Sequence, residues 1–423
     1  MRCVIKDGYV LDPATGIDQR CDILIEDGII KDIGTGFNGD EVISANGLYV
    51  FPGFIDLHTH IREPGKEDRE DIESGSKAAA KGGYTGVVMM PNTDPPVDDA
   101  SVVEYIKRRN AEVGCVRIYP CGAITKGREG KEIAEIGSLV KAGCVAISDD
   151  GSSVMNADIM RRALEYAKMF DVVVISHPED VNLSAGGQMN EGAVSTLLGM
   201  RGIPSISEDV MVIRDILIAG YTKSRLHLAH ISTALGVEFV EWAKAKGIKV
   251  TAEATPHHLL ISDKAVMGFN TNTKMNPPLR EEGDRRALIE ALKKGVIDVI
   301  STDHAPHADY EKDLEYDYAN FGVIGLETAF SAIYTRLVEG GEFRLGDLVS
   351  RMSSIPAQIF GLPGGRIEKG GVADLTLVDL NKEWLVREDD FVSKSKNSPF
   401  LGWKLKGRVK YTIVGGKVIY RED

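Results

Sequence analysis

The chain has 423 residues, 43% apolar and 27% charged, with a formal net charge of −13. That composition is globular and excludes a disordered or low-complexity chain, while the length suits roughly two to three domains, or one α/β barrel of about 250 residues with additions. The acidic balance repels phosphate backbones and argues against nucleic acid as a partner, although one arginine can still reverse the field locally for an anionic substrate.

Residues 1–51 read as short strands. "CVIKDGYVLDP", "CDILIEDGIIKDIG" and "EVISANGLYVF" are punctuated by Asp-Gly, Asn-Gly and Asp-Pro turn signals. The N-terminus lacks the apolar run and cleavage site of a signal peptide, and no apolar run approaches the ~18 residues of a membrane span. Cys3, Cys21, Cys115, Cys121 and Cys144 are scattered and form no C-x-x-C. A soluble, cytoplasmic protein without a membrane partner is expected.

From about Pro52 to Pro363 short apolar runs alternate with helical patterns. The runs are "FIDLHTH" (54–60), "YTGVVMMPN" (84–92), "VRIYPCGAI" (116–124), "CVAISDDG" (144–151), "VVVISH" (172–177), "LHLAHIS" (226–232), "KVTAEATPHH" (249–258) and "DVISTDHAPH" (298–307). Their near-continuous apolar character is that of parallel strands buried on both faces. Between them lie helices with readable ends. "DIESGSKAAAKGG" opens with acids and closes on Gly82-Gly83, as the helix dipole and a left-handed cap prefer. Eight such units predict a (β/α)8 barrel over 52–365, with extra helix in the longer excursion at 178–225. Residues 366–423 return to strands and glycine turns. With 1–51 they make about 110 residues, enough for one small β-sandwich domain built from both termini.

The polar residues gather at the C-terminal ends of the barrel strands, where barrel active sites are built. His58 and His60 end the first strand and share one face, with Asp56 on that face below them. Asp149 and Asp150 end the fourth strand, His177 the fifth and His230 the sixth, while Asp303, His304 and His307 follow the eighth. A lone H-x-H is weak, but imidazoles and carboxylates converging from several strands suit divalent ions. Four histidines and two aspartates exceed what one tetrahedral ion needs and fit two ions sharing a bridging water. His227 points to the opposite face and reads as structural. His257 and His258, placed at the end of the seventh strand, read as structural or as supports for a ligand. Adjacent Asp149 and Asp150 cannot be told apart on physical grounds.

"PGFIDLHTHIREPG", "MMPNTDPP", "ISDDGSSVMN", "SHPED", "MNEGAVSTLLGMRGIP", "LAHIS", "TPHHL", "KMNPPLR", "TDHAPH" and "FGVIGLETAF", in this order, resemble the amidohydrolase superfamily of cyclic amide hydrolases. Within it, the finer similarity is to the dihydroorotases of the longer bacterial and archaeal type. The resemblance spans nearly the whole chain. It implies that His58, His60 and Asp303 hold one divalent ion and His177 and His230 a second, with zinc expected and Asp150 between them. Many relatives bridge the ions with a carbamylated lysine on the fourth strand. Here "CVAISDDG" offers none, and the second aspartate takes that place. Pro178 after the fifth-strand histidine is a departure that stiffens the turn.

The reaction implied is the reversible cyclisation of N-carbamoyl-L-aspartate to dihydroorotate in pyrimidine biosynthesis. A bridging hydroxide would serve as nucleophile and Asp303 as general base and acid. Both small molecules carry a carboxylate that takes no part in the chemistry. Arg62, two residues past His60, offers a planar fork for it. His60, Asn92 and His307 are expected around the same substrate, and Asn276 with the backbone of Phe321 and Gly322 near the ring amides. Two other readings remain: another cyclic amidase (hydantoinase, dihydropyrimidinase or allantoinase), against which Arg62 and the absent lysine argue, and an inactive scaffold for aspartate transcarbamoylase, against which the filled ligand positions argue. A homodimer and a complex with that transcarbamoylase are both compatible with the resemblance. The acidic, tyrosine-bearing segment 308–322 is either a rim loop able to close over substrate or a solvated surface loop.

Overall fold

The computed structural model describes residues 2–422. Eight parallel strands follow one another in sequence order: Phe54–Thr59, Tyr84–Met89, Arg117–Gly122, Ala146–Ser148, Val173–Ser176, Leu226–Leu228, Val250–Ala254 and Val299–Ile300. A parallel bridge between Thr59 and His304 brings the last strand back to the first. All eight runs are strands, each shorter than the run that marks it. The barrel interior is filled by Ile55, Leu57, Val88, Cys121, Ala146, Val173, Ile175 and Val299. A second layer packs the outer strand faces on the helices, with Val87, Ile118, Ile147, Val174 and Leu228 among its buried members. Each such aliphatic side chain contributes about 1.5–3 kcal/mol on burial.

The shortening has local causes. "KVTAEATPHH" is extended only to Ala254. Thr255 then accepts the His258 N–H as an N-cap and Pro256 takes the first turn of a helix, Pro256–Leu260. His257 and His258 are therefore helical residues, which corrects their placement at a strand end. The eighth run is extended for two residues before "TDHAPH" leaves as a loop. The helix Ile72–Lys81 begins where expected: Asp71 accepts the Ser74 N–H at 2.7 Å. It ends at Gly82, and Gly83 follows at φ +90, where a Cβ would fall 2.6 Å from the Thr376 methyl.

The strands of both termini form one mixed sheet, in the order Lys417–Arg421, Lys404–Val414, Leu375–Leu385, Tyr49–Pro52, Arg2–Asp12, Ile17–Glu26, Ile29–Gly34, with Glu41–Ser44 paired to Arg2–Asp12. The two halves of the chain meet where Leu375–Leu385 pairs antiparallel with Tyr49–Pro52. Ile5, Val10, Ile23, Val50, Leu375 and Ile413 give this sheet its own core. No helix among the described residues is long and apolar enough to cross a membrane.

Candidate active site

At the C-terminal mouth of the barrel, four of the expected ligand side chains close on the carboxylate of a fifth, Asp150. Asp150 Oδ2 lies 3.2 Å from His58 Nε2 and 3.3 Å from His60 Nε2. Its Oδ1 lies 3.3 Å from His177 Nδ1 and 3.6 Å from His230 Nε2. One oxygen thus faces the first-strand pair and the other the pair from the fifth and sixth strands. Asp303 Oδ1 completes the first group, 3.0 Å from His60 Nε2 and 3.5 Å from His58 Nε2. Asp149, which the resemblance sets aside in favour of Asp150 and which spacing alone cannot distinguish from it, points away. Its carboxylate accepts the N–H groups of Ile124 and Thr125 and the Thr125 hydroxyl, and it ties the third strand's exit to the fourth.

The arrangement fits divalent cations. His58, His60 and Asp150 form one group that could hold an ion, and Asp150, His177 and His230 a second, all buried. His58 Nε2 and Asp150 Oδ1, on opposite sides of the Asp150 carboxylate, have no hydrogen-bond partner although both are buried, orphaned polar atoms of the kind a cation satisfies. His177 Nδ1 and His230 Nε2 stand 2.9 Å apart, two imidazole nitrogens needing a proton or a cation between them. Neutral imidazole and carboxylate are the ligands a zinc-like ion prefers. His230 and Asp303 both adopt left-handed backbone conformations, at φ 34 and φ 47, strain that non-glycine residues hold where function requires it.

Around these groups lie residues that set their direction. Glu253, on the seventh strand, receives His58 Nδ1 at 2.6 Å and His227 Nε2 at 3.1 Å, and accepts the His230 N–H at 3.2 Å. Burial would suppress charge on His58, yet Asp150, Glu253 and Asp303 outweigh it and hold its pKa well above the usual imidazole range. Burial likewise opposes the Glu253 carboxylate, but His58 and His227 keep it ionised. Asn92 Oδ1 meets His60 Nδ1 at 2.8 Å, so its amide orients that histidine from the side away from Asp150. Glu179 stands 3.2 Å from His177 Nε2 and accepts Asn276 Nδ2 at 2.8 Å. Glu253 and Glu179 were missed in the sequence. A glutamate inside the apolar run "VTAEA" was the available signal, since a buried carboxylate needs partners. Replacing Glu253 by Gln is expected to weaken metal binding by about 10–100-fold, read by titration with a competing chelator.

A cavity of about 350 Å³ opens above this floor, lined by His60, Arg62, Asn92, Asp150, His177, His230, Asn276, Asp303, His307, Phe321 and Gly322 among others. Every residue placed at the site from the sequence except His58, which lies in the floor, lines it. Lys66, Arg69 and Arg128 line it too and carry no sequence signal beyond being loop cations. Arg62 is buried, donates from Nε to the Pro306 carbonyl at 3.2 Å, and enters no ion pair among the described residues. Burial, with Arg69 nearby, lowers its pKa to about 10. Arg69 is committed to Glu311, and Arg128 donates to the backbone carbonyls of Asp149 and Asp150. Neither Glu63 nor Asp68 holds Arg62: Glu63 pairs with Arg109, and Asp68 accepts the Tyr310 hydroxyl. His307 Nε2 bonds the Phe321 carbonyl at 2.8 Å, and burial beside Arg62 lowers its pKa to about 2, so it is neutral. Gly322 N–H donates to the Lys274 carbonyl, which leaves the Phe321 and Gly322 backbone engaged within the protein.

Segment 308–322 is partly anchored. Lys312 is buried and donates to the carbonyls of Asn320 and Gly322 at 2.8 and 3.0 Å, Tyr316 is buried, and Tyr310 and Tyr318 stand in solvent. His227 and His258 have internal partners, Thr251 and Glu253 for the first, Thr255 and the Pro277 carbonyl for the second.

Comparison with known proteins agrees with this geometry. The family model described as Dihydro-orotase-like matches residues 47–235, and the Amidohydrolase family model matches 222–420. The dihydroorotase of Ruminiclostridium cellulolyticum is 50% identical over all of this chain and 99% of its own. That of Geobacter metallireducens is 50% identical over the whole of both, and that of Pelotomaculum thermopropionicum is 51% identical over 100% and 99%. Among solved structures, the L-hydantoinase (dihydropyrimidinase) of Arthrobacter aurescens superposes with a TM-score of 0.90 at 25% identity, covering 99% of this chain and 96% of that one. The fold is thus common to several cyclic amidases, and dihydroorotases match this chain at about 50% identity over its full length. The chain belongs to the dihydroorotase family of amidohydrolases.

Proposed function

We propose that the chain interconverts N-carbamoyl-L-aspartate and dihydroorotate at this cavity, using two divalent cations, zinc by expectation, held by His58, His60 and Asp303 on one side of Asp150 and by His177 and His230 on the other. The observation that carries the substrate assignment is Arg62: a buried cation without an acidic partner among the described residues, beside a floor suited to cations, is costly unless an anion is received there. Both named molecules bring a non-reacting carboxylate that its fork can take. A hydantoin or dihydrouracil ring without that carboxylate leaves Arg62 unpaired.

When bound, the cations would polarise the reacting carbonyl and lower the pKa of a water between them. The chain's own groups do the rest. Arg62 fixes the carboxylate, and Asn92 and Glu253 keep His60 and His58 directed inward. Burial alone would raise the Asp303 carboxyl, but His58 and His60 hold it well below the usual carboxylate range, so it is ionised and able to accept a proton. In ring opening it takes the proton of the attacking water and delivers it to the departing ring nitrogen. In ring closure it takes the proton of the ureido nitrogen and returns it to the departing oxygen.

The test is turnover of dihydroorotate and carbamoyl aspartate, with dihydrouracil and allantoin as controls, and metal content by mass spectrometry. Turnover of either control at a comparable rate would assign the chain to another cyclic amidase, and a metal-free inactive protein would make it a scaffold. Arg62→Met is expected to lower kcat/KM for dihydroorotate by about 10²–10³-fold, the cost of removing one partner of a buried charge pair. The loss should be equal in both directions, because the equilibrium constant fixes their ratio. Assembly as a homodimer or with aspartate transcarbamoylase is open to sedimentation, alone and with that enzyme added.

A further inference from the structure

The segment 391–400 connects two long strands of the terminal sheet, Leu375–Leu385 and Lys404–Val414, yet its polar side chains reach the barrel mouth. Ser395 Oγ donates to the His307 carbonyl, and the Arg69 carbonyl is 3.3 Å from the same hydroxyl. Asn397 Nδ2 donates to the Gly322 carbonyl at 3.0 Å, and the Asn397 carbonyl accepts the Ile324 N–H at 3.1 Å. Ser393 Oγ bonds Glu70, whose carboxylate faces His304 at 3.4 Å. Ser393, Ser395 and Asn397 are all buried.

Three of the residues held this way, Arg69, His307 and Gly322, line the substrate cavity. The backbone there has no slack. Gly322 sits at φ 132, and a Cβ on it would fall 2.9 Å from both the Ala305 Cβ and His307 Nε2. Arg62 is itself aimed by the Pro306 carbonyl, one peptide before the carbonyl that Ser395 holds. A shift of the 306–307 backbone would therefore move the carboxylate fork and the His307 wall together. Simple attachment of the sheet to the barrel is met elsewhere, for example by Thr412 Oγ1 donating to the Ala80 carbonyl at 2.6 Å, neither residue lining the cavity.

We propose that Ser395 and Asn397 are positioning residues: through the 306–307 backbone and the Gly322 carbonyl they fix Arg62 and the facing cavity wall, so that the terminal sheet completes the substrate site. The idea rests on the function proposed above. Binding groups held by a supporting layer lose affinity steeply when displaced, so the effect belongs in KM. Ser395→Ala and Asn397→Ala are expected to raise KM for dihydroorotate by about tenfold with kcat within about threefold of the wild type. Ser395→Thr, which keeps the hydroxyl, should restore KM. Thr412→Val supplies the comparison, removing a buried hydrogen bond of the same sheet without touching the cavity, and should leave KM unchanged.

Amide hydrogen exchange gives a readout that needs no turnover. Residues 304–308 and 321–325 should exchange faster in Ser395→Ala and Asn397→Ala than in Thr412→Val. Should Asn397→Ala fail to fold, the single-hydroxyl variant Ser395→Ala decides. Faster exchange in an enzyme without dihydroorotase turnover would keep the strap and reject the substrate. Unaltered KM and unaltered exchange in a folded Ser395→Ala, or the same KM change in Thr412→Val, would overturn the proposal.

Discussion

Asp303→Asn is expected to lower kcat by about 10³-fold in both directions while the protein keeps its metal and its substrate affinity. The reason is the place of the carboxylate. Asp303 Oδ1 stands 3.0 Å from His60 Nε2, at the rim of the floor and facing the cavity, in a backbone conformation that holds it there. Carboxamide keeps the shape and one oxygen for coordination but cannot accept a proton at neutral pH. The loss should therefore fall on kcat, with KM moving little, and a solvent-isotope effect on the residual rate should change because the proton step becomes limiting. A variant that retained metal and near-full kcat would remove Asp303 from proton transfer and leave it as a ligand alone.

Asp150→Asn should have a different signature. Here both oxygens are used, Oδ2 toward His58 and His60 and Oδ1 toward His177 and His230. An amide nitrogen in place of either oxygen presents N–H groups where a ligand is needed, and the negative charge shared by two cation sites is lost. Metal content should fall from two equivalents to one or none. Activity should drop by at least about 10³-fold, since the several kcal/mol that cations supply to such a reaction disappear. The fold should persist, because Glu253, Asn92 and Glu179 still hold His58, His60 and His177 by hydrogen bonds that do not involve Asp150. Metal analysis beside a thermal unfolding curve checks both statements. Two retained equivalents would show that another group bridges the sites. The contrast is diagnostic: Asp303→Asn loses rate with metal intact, Asp150→Asn loses rate through metal.

Much of the site was legible because a parallel barrel strand is short and its end is marked. Apolar runs buried on both faces stand out, and a histidine or aspartate closing such a run has one destination, the C-terminal mouth. His58, His60, His177, His230 and Asp303 were readable in that way. What failed did so for local reasons. "KVTAEATPHH" reads as one strand to its last histidine, whereas Thr255 caps and Pro256 opens a helix, so His257 and His258 stand on a different kind of element. Glu253 went unnoticed because alternation along a strand says nothing about which buried charge finds which imidazole.

The sequence by itself determined the eight barrel strands in order, the strand-rich character of both termini, and the residue types gathered at the mouth, since these depend on burial patterns and spacing that each segment carries locally. Only the tertiary structure turned the Asp149 carboxylate away from the histidines, left Arg62 without an acidic partner among the described residues, and brought Ser395 and Asn397 against the backbone of the cavity wall. Those outcomes depend on which side chains meet across separations of up to several hundred residues. A strand's period fixes which face a side chain takes, but closure of the barrel fixes what stands opposite it.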